Sequence, residues 1–184
     1  MKNAIILHGT GSTPESFWQP SIKTFLESKG YTVWIPELPQ KDDPDVTIQL
    51  PFILENGTFT EETIIIGHSA GVPLALSVLE HISVRIKRAI LVAGYARIDK
   101  KKPKPEKILP AKFNWRKIKK HCVDIIFVHS DNDPWGCDDK EGRFMFRHCG
   151  GKFIVLHGEG HMGSDQFKQP YPEFPLLEKL LELP

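Results

Sequence analysis

The sequence predicts an α/β fold in which a mostly parallel central sheet of about six strands carries helices on both faces. Two patterns and a length predict it. Six short runs, at residues 4–7, 32–35, 63–66, 89–93, 125–129 and 153–157, are apolar almost throughout, and strands that do not alternate with polar residues are those buried on both faces of a parallel sheet. The stretches between them, 14–28, 72–81, 115–120, 138–147 and 172–183, carry helical spacing or helix start signals. Strands alternating with helices imply right-handed crossovers, which place helices over both faces of one sheet. At 184 residues the chain suits a single domain over 1–184, a size that buries about 70% of its unfolded surface.

Each element has its local reason. The first run opens into His8-Gly9-Thr10-Gly11-Ser12, a turn sequence ahead of the first helical stretch. After the second run, residues 36–51 hold four prolines and three aspartates, which reads as a loop. The third run is β-branched, and the helical pattern after it contains Pro73, tolerable because the first turn of a helix leaves its N–H groups without intrahelical partners. The fourth run leads into residues 96–113, with three prolines and Lys100, Lys101, Lys102, Lys104 and Lys107, expected to form a solvated loop beside the sheet. No aromatic residues interleave with these lysines, so they do not read as a nucleic-acid surface. The fifth and sixth runs end in aspartate- and glycine-rich loops at 130–136 and 158–163.

The chemistry is concentrated at strand ends. Gly67-His68-Ser69-Ala70-Gly71 is a G-x-S-x-G sequence lying where the third strand turns into a helix, the context of a nucleophile elbow. Side chains at 67 or 71 would clash with the neighbouring strand or helix, and Ser69 would be presented with its Oγ exposed. A serine hydroxyl needs a histidine to take its proton and a carboxylate to fix the tautomer of that histidine. In the order Ser, acid, His, the sequence supplies Asp133 and His161, each beyond the carboxyl end of a strand, where open α/β sheets build their sites. Asp133 is favoured over Asp131, which is suited to tightening the turn; His161 is favoured over His157, which closes an apolar run. Two backbone N–H donors should meet the developing oxyanion: Ala70 gives one, and Thr10, with Gly11 as second choice, gives the other.

Composition narrows the partners. The chain is 40% hydrophobic and 26% charged with a formal charge of +1, so no global attraction to nucleic acid or anionic membrane is expected. Residues 4–7 are too short an apolar run for a signal peptide or a membrane span, and the expectation is a cytoplasmic protein. Cys122, Cys137 and Cys149 lack C-x-x-C spacing and read as idle buried thiols. Rival motifs fail on particular residues. Pro14 stands where a dinucleotide fingerprint needs its third glycine. Trp135 and Gly142 occupy ligand positions of a calcium loop begun at Asp131. Glycines separate His157 from His161, against a helical zinc pair.

In these features the chain resembles the small serine hydrolases of the retinoblastoma-binding protein 9 and YdeN type, a compact branch of the α/β-hydrolase fold. The likeness runs through nearly the whole length. It is carried by His8-Gly9, the block from Glu62 to Ser69, Ile90-Leu91-Val92 followed by Tyr95, Phe113-Asn114-Trp115 ahead of Ile118, Asp133-Pro134 and Gly160-His161. The resemblance implies Ser69, Asp133 and His161 as nucleophile, acid and base, the three that the spacing selects. One family member binds retinoblastoma protein through an L-x-C-x-E motif; residues 54–61 lack it, so that partner is not expected. The expected activity is hydrolysis of a small ester, thioester or amide through an acyl-enzyme, without metal or cofactor, and the expected partner is a small-molecule acyl substrate. Gly11, Phe17, Trp18 and Trp135 are candidate walls of its pocket. A non-catalytic binding protein on the same fold is the alternative.

Overall fold

The computed structural model describes residues 1–97 and 106–183. Its elements alternate: β1 (Asn3–Leu7), α1 (Gln19–Ser28), β2 (Thr32–Trp34), α2 (Val46–Asn56), β3 (Ile64–His68), α3 (Gly71–His81), β4 (Ile86–Val92), α4 (Trp115–Lys120), β5 (Cys122–Ser130), α5 (Asp139–Cys149), β6 (Lys152–Leu156) and α6 (Pro175–Glu182). The six strands form one sheet in the order β2-β1-β3-β4-β5-β6, and every pairing is parallel.

The period of two along each strand divides the core into two layers. Ile5, Leu7, Ile65, Ala89, Leu91, Ile125 and Phe127 face one layer, with residues of α2, α3, α4 and α5. Ala4, Ile6, Ile64, Ile66, Ile90, Val92, Ile126 and Val128 face the other, with Ile22 and Leu26 of α1 and Leu177 and Leu180 of α6. β1, β3, β4 and β5 are thus covered on both sides, which is why they read as unbroken apolar runs. β2 and β6 are edge strands and do not follow that reading: β6 leaves Val155 exposed.

A buried guanidinium is built into the α1/α6 layer. Arg88 on β4 is 1% exposed; its Nε–H donates to Asp124 Oδ2 at 2.8 Å, and Nη1 donates to the carbonyls of Leu180 and Leu183 at 2.9 and 3.1 Å. The guanidinium thereby satisfies carbonyls at the end of α6 that no further helical turn can reach, and anchors that helix to the sheet.

The stretch 36–51, expected to be a loop, is only partly one. A helix begins at Val46 and runs through Pro51 to Asn56. Asp45 caps it, accepting the Thr47 N–H at 2.9 Å. Pro51 removes one ladder bond, but burial of Ile53 and packing of Val46, Leu50, Phe52 and Leu54 against the core outweigh that loss. At the other extreme, 14–28 is helical only from Gln19, because Phe17 takes a left-handed φ of 56°. Of the lysine-rich stretch, Lys100, Lys101, Lys102 and Lys104 lie outside the described residues, whereas Lys107 pairs with Asp43.

The strand order carries the consequence for function. β1 lies between β2 and β3, the chain leaving it toward α1 on one face while β3 leads to α3 on the other. Such a reversal opens a crevice beyond the carboxyl ends of the two strands. The register Leu7↔Gly67 sets residues 8–10 beside 68–70 at its floor.

Candidate active site

The turn after β3 holds Ser69 at φ 54°, a left-handed conformation costing a non-glycine residue on the order of 1–3 kcal/mol. It is anchored on both sides: the Ser69 N–H donates to the Val92 carbonyl of β4 at 3.0 Å, and the Ser69 carbonyl accepts the Val72 N–H at 3.0 Å as α3 begins. The flanking glycines are required by close approach. A Cβ on Gly67 would lie 2.7 Å from the Gly71 carbonyl oxygen, and one on Gly71 would lie 2.0 Å from that of Leu7.

Asp133 and His161 come from the loops after β5 and β6, and the structure brings them together. His161 Nδ1 lies 2.7 Å from Asp133 Oδ2, with 6% and 0% of the two side chains exposed. An ionised carboxylate only accepts, so Nδ1 carries the proton and Nε2 is left with its lone pair. The second carboxylate oxygen is occupied by the Trp135 N–H at 2.8 Å. The histidine loop is held along its backbone: Gly160 N–H donates to Asn132 Oδ1 at 2.7 Å, His161 N–H to Gln169 Oε1 at 2.9 Å, and Trp18 Nε1–H to the Met162 carbonyl at 2.9 Å.

Asp131 and His157 form a separate, exposed pair. Asp131 Oδ2 lies 2.6 Å from His157 Nδ1, and Oδ1 accepts the Gly158 N–H at 3.0 Å. These bonds lower the Asp131 pKa, the Gly158 amide contributing most and His157 next; the Asp131 carboxylate raises that of His157. Asp131 therefore ties the two loops together at the surface, while Asp133 turns inward to His161.

The loop after β1 supplies the other side of the crevice. His8 Nδ1 is 2.9 Å from the Gly9 carbonyl, and Nε2 accepts the Leu38 N–H at 3.2 Å, so a neutral imidazole ties the loop to the chain following β2. Burial lowers the His8 pKa and favours that neutral form. The Gly11 N–H is given to the Lys41 carbonyl at 2.9 Å. Thr10 and Ala70 N–H have no such acceptor among the described residues, which favours Thr10 over Gly11 as an oxyanion donor.

Ser69, His161 and Thr10 border one cavity of about 450 Å³, as do Gly11, Phe17 and Trp135. Trp18 does not, and that expectation is corrected: it is 0% exposed, its ring packed against Phe174 and His68 in the α1/α6 layer. The left-handed Phe17 separates the fates of the two neighbours, sending one ring to the cavity and the other to the core.

Sequence reasoning missed His68. The x of G-x-S-x-G is 1% exposed, and its Nε2–H donates to the His161 carbonyl at 2.9 Å. Burial, with His161 beside it, pushes its pKa down to about 3, so it stays neutral and spans from the serine turn to the histidine loop. Tyr95, Glu106 and Cys137 also border the cavity; Tyr95 stands three residues past the end of β4, a position that strand-end logic could have flagged. All three cysteines are buried as expected; Cys137 differs only in bordering the cavity, while burial raises the thiol pKa values of Cys122 and Cys149 to about 12. The grouping of metal-donor side chains among the described residues is Asp133, Cys137 and His161, with donor atoms within 4.8 Å of one another. Two of those three already bind each other. No described helix is long and apolar enough to cross a membrane.

Comparison with known proteins gives the family and the fold. The chain is 26% identical over 164 residues to serine hydrolase RBBP9 of Rattus norvegicus, covering 88% of this chain and 87% of that one. It is 31% identical over 99 residues to YdeN of Bacillus subtilis, 52% of each chain. The crystal structure of the B. subtilis ydeN gene product superposes with a TM-score of 0.88 at 22% identity, covering 98% of this chain and 97% of that one. Est1E of Butyrivibrio proteoclasticus superposes with a TM-score of 0.72 at 14% identity over 98% and 85%. These superpositions give the α/β-hydrolase fold. The serine hydrolase family model matches residues 4–180, nearly the whole chain, and the chain belongs to that family.

Proposed function

We propose that the protein hydrolyses a small ester, thioester or amide through an acyl-enzyme formed on Ser69. The observation that carries this reading is the buried Asp133–His161 pair, 2.7 Å apart, whose His161 borders the same cavity as Ser69 in its strained turn. His161 Nε2 takes the Ser69 hydroxyl proton as Oγ adds to the substrate carbonyl carbon. The carbonyl oxygen becomes an oxyanion that the Thr10 and Ala70 N–H groups receive. The tetrahedral adduct collapses with cleavage of the bond to the leaving group, which takes the proton from His161. A water molecule, deprotonated by His161, then adds to the acyl-enzyme, and a second collapse frees the acid and returns the proton to Ser69. Asp133 holds the tautomer and faces the imidazolium. His68 acts at one remove, as a positioning residue for the His161 backbone.

Fluorophosphonate labelling of the purified protein tests this reading. The wild type is expected to be labelled and to hydrolyse a short p-nitrophenyl ester, and Ser69→Ala to do neither while remaining folded, because the turn is enforced by its neighbours. A folded Ser69→Ala protein with undiminished turnover removes Ser69 as nucleophile; a wild type that neither labels nor turns over ester leaves the alternative of a binding protein.

A further inference from the structure

Three side chains of metal-binding type converge beside the cavity. Donor atoms of Asp133, Cys137 and His161 all lie within 4.8 Å of one another, and all three residues are buried. Asp133 and Cys137 share one loop, which folds back on itself. The Gly136 N–H donates to the Asp133 carbonyl at 3.2 Å, with Gly136 at φ 78°, and this turn returns Cys137 toward the Asp133 carboxylate. His129 holds the Cys137 backbone there, its Nδ1–H donating to the Cys137 carbonyl at 2.9 Å. His161 arrives from the loop after β6.

The donor set fits Zn²⁺. Thiolate, imidazole and carboxylate are its usual ligands, and three protein ligands with a fourth position left to water is the arrangement of open zinc sites. Tetrahedral coordination at ordinary bond lengths sets donors about 3.3–3.6 Å apart, so side-chain movements of about 1 Å assemble the site. The Asp133–His161 contact of 2.7 Å opens slightly, and the thiol closes in. A thiolate and a carboxylate together balance the two charges of the ion, so the buried complex carries no net charge. Cys137 and His161 border the cavity, which gives the ion its way in and leaves room for the fourth ligand. Cys137 is also within electrostatic reach of Tyr95; the ion therefore replaces the proton of a thiol that already has neighbours.

We propose that Asp133, Cys137 and His161 form an inhibitory Zn²⁺ site, through which zinc takes the Asp133–His161 pair out of use. The effect on turnover rests on the hydrolase reading; the binding does not. On binding, Cys137 gives its thiol proton to solvent, and bonds from zinc to sulfur, nitrogen and oxygen replace bonds from zinc to water. His161 keeps one ring proton. With the ion on Nδ1 that proton resides on Nε2, and with the ion on Nε2 the lone pair itself is used. In both cases Nε2 has no lone pair left to receive the Ser69 proton.

The experiment follows turnover of a neutral p-nitrophenyl ester and the rate of fluorophosphonate labelling against free Zn²⁺ fixed by a metal buffer. Co²⁺ is titrated in parallel, because a cobalt–thiolate bond has a near-ultraviolet charge-transfer band. The wild type is expected to lose turnover and labelling together as Zn²⁺ rises, to recover both on addition of a chelator, and to be indifferent to Mg²⁺ and Ca²⁺, which take oxygen ligands. Co²⁺ should give the thiolate band, and Zn²⁺ should erase it. Cys137→Ser and Cys137→Ala should lack the band. Measured against each variant's own metal-free rate, they should need about tenfold more Zn²⁺ or beyond for half inhibition, since even partners outside the ligand sphere are worth that factor. Ser69→Ala should keep the band, and Asp131→Asn should keep the inhibition, which separates the site from the exposed Asp131–His157 pair. Inhibition unchanged by loss of the Cys137 thiol overturns the proposal. So does a wild type without the thiolate band, or one with full turnover at the Zn²⁺ level that erases it, and these two results do not depend on how a variant folds. A metal-free wild type that neither labels nor turns over ester removes the hydrolase reading and with it the inhibitory role, while the cobalt band still decides whether the three residues bind the ion.

Discussion

Replacing Asp133 by asparagine changes one atom in a side chain that is wholly buried against His161, and its effect can be sized. During turnover His161 becomes an imidazolium facing the carboxylate. Unit charges roughly 4 Å apart at an effective dielectric of about 20 attract by about 4 kcal/mol, or about 10³ in rate. The amide adds a second fault: its NH₂ group, presented to Nδ1, drives the imidazole proton to Nε2, where the lone pair is needed for Ser69. Together these place the loss between ~10³ and ~10⁴, the upper figure matching neutralisation of a triad carboxylate. Asp131→Asn is the control. Its partner His157 has 96% of its side chain exposed, solvent screens the pair, and an amide oxygen can still accept the Gly158 N–H, so turnover should stay within about threefold. The assay is kcat on a saturating neutral p-nitrophenyl ester, with the rate of fluorophosphonate labelling as a second readout and urea unfolding as a check on the fold. Equal losses at the two positions, or a larger loss at 131, would refute the assignment of Asp133 as the acid.

Gly71→Ala would place a Cβ 2.0 Å from the Leu7 carbonyl oxygen, and because that neighbour is strand backbone the cost should reach about 3 kcal/mol or more; wild-type urea stability would contradict the close approach. His157 should titrate above its ordinary pKa when followed by NMR, since Asp131 stabilises its charged form, and Asp131→Asn should return it to about 6.5; an unchanged midpoint in the variant would mean that the pair does not persist in solution. His8, His68 and His129 all have lowered pKa values through burial. The unfolded chain therefore binds more protons than the folded one below about pH 6.5. Their contribution to stability is complete above that pH and is lost as pH falls toward the folded pKa values. The urea midpoint should accordingly be lower at pH 5.5 than at pH 7.5, and a higher midpoint at pH 5.5 would show that other groups dominate.

The sequence by itself determined the sheet and the turn. Unbroken apolar runs at β1, β3, β4 and β5 can be satisfied only by burial on both faces, and Gly67 and Gly71 around Ser69 are dictated by how close two backbones must come. It also brought Asp133 and His161 to neighbouring strand ends, because chain order and strand order coincide from β3 to β6. Tertiary structure decided what depends on balance between elements. Pro51 lies within a helix because the core gains more from Ile53 and its neighbours than one lost hydrogen bond removes. Trp18 was a wall candidate equal to Phe17 in the sequence; one left-handed residue sent it into the core instead. His68 reads as the variable position of a motif, and only the approach of the loop after β6, 93 residues away in the chain, gives its imidazole a partner. Residues whose roles follow from their immediate neighbours are legible in the chain. Those whose roles depend on which distant backbone arrives beside them are set by packing.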